Sequence, residues 1–162
     1  PSDVEVVARK GGLSSVQARC IEGSIAKANY LRDRDRLSLA LVTNALATED
    51  LDGWEKHVVR HLTEVDATNA SLAYRYALHL YDADRYVEAI DQADVSLQHR
   101  SGWTGEEYVD KVGGLYKLRA AAGQALWKAA EAGRVDDPAA AEAQRIQVCN
   151  LATDWRRFAG PR

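Results

Sequence analysis

Hydrophobic residues between positions 70 and 97 repeat with the period of two successive helices. They are spaced by three and four residues, which places each set on one helix face. The first set is Leu72, Ala73, Tyr76, Ala77 and Leu80, and the second is Tyr86, Ala89, Ile90, Ala93 and Leu97. A polar break at residues 82–84 separates the two sets. We therefore predict an antiparallel helical hairpin, with Asn69 capping its first helix and Asp84 its second.

The helical period continues on the N-terminal side of this hairpin. Ser14 begins a capping-box sequence, which predicts an N-terminal helix over residues 14–31. Apolar positions over residues 37–65 predict a further hairpin, and Asp50 is expected to cap its second helix. We take residues 37–65 as a weaker copy of the hairpin over residues 70–99.

On the C-terminal side, residues 104–159 predict a hairpin of two long helices. Gly133 is expected to end the first of them, and Pro138 to begin the second. Gly113 and Gly114 fall inside the first helix, where each glycine costs about 1 kcal/mol relative to alanine. Either the helix bends at these glycines or a neighbouring helix packs closely there. The long pair is expected to cover the open end of a helical stack.

Several residues of the 70–97 hairpin match the consensus of a repeat with a period of about 34 residues. Ala77 stands at the small position of the first helix, and Tyr86 stands at the aromatic position of the turn, followed by Glu88-Ala89-Ile90. Residues 62–66, Leu-Thr-Glu-Val-Asp, are similar to the closing segment of that repeat. The chain thus resembles the tetratricopeptide repeat (TPR) family, most clearly over residues 70–97. The resemblance implies an α-α superhelix whose concave groove binds a peptide or a partner protein.

Composition favours an all-α fold. The 162 residues are 46% hydrophobic and 28% charged, with 3 prolines, which is typical of a single globular domain. Together with this composition, the resemblance to the TPR family implies one TPR-like solenoid domain over residues 1–162, built from about seven antiparallel helices with long C-terminal capping helices.

The charge and hydropathy of the chain limit its partners. A formal net charge of -3 argues against nucleic acid as a partner. No apolar stretch is long enough to span a bilayer, so direct membrane insertion is not expected. The chain has no methionine and begins at Pro1, which we interpret as a fragment of a larger protein. Its many alanines and its excess of arginine over lysine favour a bacterial protein, from the cytoplasm or periplasm. The sequence leaves the oligomeric state open.

The two cysteines, Cys20 and Cys149, lie far apart in the sequence on the apolar side of their helical patterns. We predict that they are buried small hydrophobic residues rather than a disulfide or reactive thiols.

No catalytic motif is present in the sequence. His57 and His61 are four residues apart, so both could face one metal ion, with Glu64 one turn further on. No further ligand converges in the sequence, so we predict no metal, no cofactor and no catalytic residue, and we expect the protein not to be an enzyme.

The expected binding surface is the exposed face of the first helix in the 70–99 repeat. Tyr74, Leu78 and Tyr81 are spaced by three and four residues and form one stripe, to which Arg75 adds a charge. Tyrosine and arginine are frequent hot spots of protein interfaces. The alternative is that Leu78 and Tyr81 pack on an adjacent repeat. Two further residues, Asn44 and Arg119, are expected to flank the stripe.

These observations predict a non-catalytic scaffold or adaptor that binds a protein or peptide partner in a concave groove. Similar modules occur in bacterial envelope assemblies such as pilus, secretion or motility machinery. A regulatory domain that senses a ligand or a peptide is the alternative function. A metal-dependent enzyme is a third possibility, and it depends on His57 and His61 alone.

Overall fold

The computed structural model describes residues 3–28, 30–129 and 138–160. Within these ranges the chain forms eight α-helices and no β-strand, so the predicted all-α class is confirmed. The helices fall into two compact units, Pro1–Ala67 and Thr68–Arg162. In the described ranges no helix combines the length and the hydrophobicity that crossing a lipid bilayer requires.

The first unit is organised around its third helix. Its elements are α1 (Asp3–Arg9), α2 (Ser15–Lys27), α3 (Leu31–Ala47) and α4 (Leu51–Arg60), which continues into a π-helical turn (His61–Val65). Helix α3 packs against α1, α2, α4 and the π-helical turn. Because it touches every other element, its buried side chains, among them Leu41 and Val42, form the centre of this unit's core.

Sequence signals for helix ends in this unit are mostly confirmed. The side chains of Ser14 and Gln17 form the expected capping box, and Asp50 accepts a hydrogen bond from the Gly53 amide. The boundary predicted between the helix over residues 14–31 and the hairpin over 37–65 is wrong, because α2 ends at Lys27 and α3 already begins at Leu31. The charged residues 32–36 stay helical with exposed or half-exposed side chains, which a surface helix tolerates.

The second unit contains two successive helical hairpins. Helices α5 (Ala70–Asp82) and α6 (Tyr86–Gln98) form the first hairpin. A short 3₁₀ turn (Arg100–Gly102) leads to α7 (Gly105–Ala129) and α8 (Pro138–Ala159), which form the second. Helix α6 packs against both α5 and α7, so one continuous core joins the two hairpins.

The predicted interior of the first hairpin is confirmed with one partial exception. Nine of the ten predicted positions are buried, and Tyr86 is half-buried. Asn69 caps α5 by accepting a hydrogen bond from the Leu72 amide. The cap predicted at Asp84 is wrong: the cap position of α6 is Arg85, while Asp84 has a φ of 59° and its carboxylate accepts from the Tyr86 hydroxyl.

Neighbouring side chains pack closely against the paired glycines of α7, and the helix does not end there. Helix α7 runs unbroken through Gly113 and Gly114. A β-carbon on Gly113 would lie 3.1 Å from the ring of Phe158 on α8, and one on Gly114 would overlap the Tyr74 hydroxyl on α5. The predicted helix start at Pro138 is confirmed, whereas Gly133 lies outside the described residues.

The burial predicted for the two cysteines is wrong. Cys20 and Cys149 are both exposed free thiols. Each lies on the outer side of its helix, because the apolar stripe that faces the core is narrower than the sequence pattern indicates.

Candidate functional site

Helix α5 presents one exposed stripe opposite its buried face. Ser71, Arg75, Leu78 and Asp82 are exposed, and their spacing places them along a single line on the helix. We call these four residues the α5 stripe. Leu78 is 39% exposed, while the buried residues of this helix are 8% exposed or less. A large apolar side chain is thus held at the surface by a helix that is anchored on its other side.

The two tyrosines predicted for this surface are half-buried and pack inside the unit. Tyr74 lies over Gly114, and the Lys111 ammonium lies 5.6 Å from the centre of its ring. Burial of the phenol raises the pKa of Tyr74 above its usual value. Tyr81 meets the ring of Tyr86 edge-on, with 5.5 Å between the ring centres. Tyr81 therefore packs on a neighbouring helix, as the alternative interpretation expected, whereas Leu78 stays exposed.

The N-terminal end of the α5 stripe is fixed by an aromatic contact. The indole of the buried residue Trp103 donates a hydrogen bond to the Ser71 hydroxyl over 3.1 Å. The Lys111 ammonium lies 5.9 Å from the centre of this ring as well, so it is close to two aromatic faces. The Lys111 ammonium therefore lies toward this end of the α5 stripe. Arg75 is the second residue of the stripe from this end, whereas Asp82 lies at the other end.

The other two predicted site residues have partners inside the protein. The carboxamide oxygen of Asn44 accepts a hydrogen bond from the Leu13 amide over 3.0 Å, within the first unit. The Arg119 guanidinium lies 2.7 Å from an Asp94 oxygen and 3.5 Å from an Asp154 oxygen, and its side chain is 14% exposed. Arg119 thus joins α6, α7 and α8 through ion pairs, and the role predicted for it beside the α5 stripe stays a prediction. The hydrogen bond of Asn44 likewise gives it a structural role.

A second cluster of polar groups lies in the first unit, around the buried residue His61. Its imidazole is 0% exposed, and Nδ1 lies 3.0 Å from the Ser38 hydroxyl oxygen. Nε2 lies 3.5 Å from an Asp35 carboxylate oxygen. One ligand atom each of Asp35, His61 and Asp66 lie within 4.8 Å of one another. We call these three residues the His61 cluster.

The π-helical turn explains how Asp66 reaches His61. In an α-helix, residues five apart point in different directions. Here the Asp66 amide donates to the His61 carbonyl over 2.9 Å, which is the i→i+5 bond of a π-turn and brings the two residues to the same side. The Arg34 guanidinium stabilises this turn by donating to the Glu64 carbonyl over 3.0 Å. Single π-turns inside helices are frequent at functional sites.

Electrostatics favour a neutral imidazole in this cluster. Burial lowers the pKa of His61 below its usual value, and the nearby carboxylates of Asp35 and Asp66 offset only part of that effect. His57 belongs to a different environment, because its Nδ1 lies 3.9 Å from a Glu22 oxygen. The structure therefore does not bring His57, His61 and Glu64 together as one metal-ligand set.

A serine, a histidine and an aspartate in contact also suggest nucleophilic catalysis. Ser38 is only 2% exposed, however, and it lies on the core side of the imidazole. A substrate cannot reach its hydroxyl oxygen without opening the helix packing, so this geometry does not supply an accessible nucleophile.

Sequence reasoning did not identify Asp35 and Asp66 as partners of His61. The α-helical period indicates contacts between residues three or four apart. Asp66 is five residues from His61 and reaches it because of the π-turn, and Asp35 lies on another helix. One available signal was the i, i+3 spacing of Asp35 and Ser38, which places both residues on one face of a helix.

Comparison with models of known protein families, with curated proteins and with solved structures finds no match to this chain. The TPR resemblance and the binding role that it implies therefore stay predictions.

Proposed function

We propose that this chain is a non-catalytic protein-interaction module of the TPR type, which binds a segment of a partner protein along the α5 stripe. The observation that carries this proposal is the 39% exposure of Leu78, between Arg75 and Asp82, on a helix whose opposite face is buried. A rigid helix that displays an apolar residue beside an arginine loses little conformational freedom when it binds.

The helix order of the second unit supports the repeat assignment. Helices α5–α6 and α7–α8 are successive hairpins, and α7 packs against both helices of the preceding hairpin. The first helix of a following TPR packs in this way. The close approach of α5 and α7 depends on Gly114, which leaves room for Tyr74.

The charges around the α5 stripe indicate the chemistry of the partner. Lys111 lies toward the N-terminal end, Arg75 is the second residue from that end, and Asp82 lies at the C-terminal end. An apolar side chain of the partner can cover Leu78 while an acidic side chain of the same segment pairs with Arg75. We therefore propose a partner segment in which an apolar residue lies within one turn of an acidic residue.

Site-specific cross-linking tests this proposal. A photoreactive amino acid at position 78 is expected to capture a partner in extracts of the source organism, whereas the same group at position 87 is the matched control. Val87 lies on α6 and is 57% exposed, so it is at least as accessible as Leu78. The identity of the captured protein also tests a role in a bacterial envelope assembly such as pilus, secretion or motility machinery.

Affinity measured with the purified partner completes the test. Arg75→Ala combined with Leu78→Ala should weaken binding at least about tenfold, since it removes two central contacts. Val87→Ala should leave affinity unchanged, and circular dichroism should show equal helix content in all variants. Unchanged affinity in the double variant, or equal capture from positions 78 and 87, would contradict the proposed surface. Tyr74 is avoided as a probe because it packs over Gly114.

A further inference from the structure

One pair of ligand atoms in the His61 cluster has the spacing of a metal site, and the third ligand lies close by. Zinc binds imidazole nitrogen and carboxylate oxygen at about 2.0–2.2 Å, which puts neighbouring ligand atoms of a tetrahedral site about 3.4 Å apart. His61 Nε2 and the nearer Asp35 oxygen are 3.5 Å apart. The three ligand atoms all lie within 4.8 Å of one another, so modest side-chain rotation of Asp35 or Asp66 closes the set.

The surroundings of His61 orient its ring for coordination. Ser38 lies 3.0 Å from Nδ1, and a proton on that nitrogen, donated to the hydroxyl oxygen, leaves the Nε2 lone pair directed at the two carboxylates. Metal-bound histidines are usually fixed in this manner by a partner on their second nitrogen. Because the imidazole is 0% exposed, its orientation is set by the core and does not depend on the metal.

The site also has an opening. A cavity of ≈ 280 Å³ lies beside the cluster and is lined by Leu31, Arg32, Asp35, Val65 and Asp66. A metal held by one imidazole and two carboxylates would have room there for one or more water ligands. Arg32 is the competing cation, since it lines the same cavity.

We propose that Asp35, His61 and Asp66 bind one divalent transition-metal ion, with Zn²⁺ the preferred ion. The mixed nitrogen and oxygen ligands disfavour Ca²⁺ and Mg²⁺, which take oxygen ligands in larger number or keep most of their water. The ion joins α3 to the end of the α4 segment, and it stabilises the π-helical turn that places Asp66.

Zinc titration of the full chain tests the site. Cys20 and Cys149 are exposed thiols that bind zinc themselves, so the parent protein for this experiment carries Cys20→Ser and Cys149→Ser. Calorimetry should show one Zn²⁺ per chain. Zinc should shift the Nε2 resonance of His61 in nitrogen NMR spectra and leave that of His57 unchanged.

The test uses substitutions of the two carboxylates, because a substitution of the buried His61 could unfold the protein. Asp66→Asn and Asp35→Asn should each weaken zinc binding at least about tenfold, and Ser38→Ala should weaken it about tenfold through the loss of ring orientation. Arg32→Ala should tighten binding because a competing charge is removed. Glu64→Gln, one turn from His61 but outside the cluster, is the matched control and should bind as the parent does.

Thermal unfolding gives an independent measurement. Zinc should raise the melting temperature of the parent and of Glu64→Gln, but not that of Asp66→Asn. Three results would overturn the proposal: no saturable zinc binding by the parent, equal binding by Asp66→Asn and the parent, or displacement of zinc by an equal concentration of Mg²⁺.

Discussion

The hydroxyl group of Tyr74 on α5 occupies the space that a side chain at Gly114 on α7 would need. A β-carbon at Gly114 would lie 3.3 Å from the phenol carbon that bears the hydroxyl, and it would overlap the hydroxyl oxygen itself. The second unit therefore depends on a matched pair, a tyrosine on one helix and a glycine on the next.

This relationship predicts the outcome of a double-mutant cycle. Gly114→Ala should destabilise the protein, because the overlap with Tyr74 outweighs the gain of about 1 kcal/mol in helix propensity. In a Tyr74→Phe background the hydroxyl oxygen is absent, and the same alanine should be much less costly. We expect a coupling energy of about 1–2 kcal/mol from urea unfolding.

Gly23→Ala is the control for this cycle. Gly23 is helical, and a β-carbon there would meet nothing within 4 Å. This alanine should therefore stabilise the protein by about 0.5–1 kcal/mol, whichever residue is at position 74. Equal effects of Gly114→Ala in both backgrounds would show that Tyr74 and Gly114 do not constrain each other.

A second prediction concerns the buried hydroxyl that links α5 to α6. Ser96 is 0% exposed and donates a hydrogen bond to the Ala70 carbonyl over 2.7 Å. Ser96→Ala should lower the free energy of unfolding by about 1 kcal/mol, since the bond is lost in a dry environment. Ser24→Ala removes an exposed hydroxyl that bonds only to its own helix, and it should change stability by less than about 0.5 kcal/mol.

The third prediction concerns pH. Burial lowers the pKa of His57 below the usual 6.5, and Glu22 offsets part of this effect. The unfolded chain therefore takes up a proton at higher pH than the folded chain does. The free energy of unfolding therefore has its full His57 contribution above pH 6.5. It falls as the pH is lowered from 6.5 through the lower pKa of the folded state.

Denaturant unfolding between pH 8 and pH 5, with a metal chelator present, measures this dependence. His57→Gln should reduce the loss of stability on acidification. Glu22→Gln should increase it, because the carboxylate that raises the pKa of His57 is removed. Superimposable pH profiles of the parent and His57→Gln would refute the assignment.

Local signals in the sequence were sufficient for the helices and most of their ends. Ser14, Asp50 and Asn69 cap the helices that follow them, because a capping side chain bonds to amides within its own segment. The 3.6-residue period likewise placed Leu72, Ala77 and Leu80 in the core of the α5–α6 hairpin. Such features depend on neighbours in the chain, and the chain alone determines them.

Tertiary structure decided which exposed or polar residues have partners. Arg119 meets Asp94 and Asp154 from two other helices, and the period of its own helix cannot reveal those contacts. The joining of His61 with Asp35 and Asp66 requires a π-turn and the packing of α3, neither of which has a sequence period. The sequence by itself determined an all-helical chain and the buried face of the α5–α6 hairpin, because the helix period is a local property. Only the packed structure decided that Tyr74 turns inward over Gly114 and that the polar groups around His61 converge, because these contacts join segments far apart in the chain.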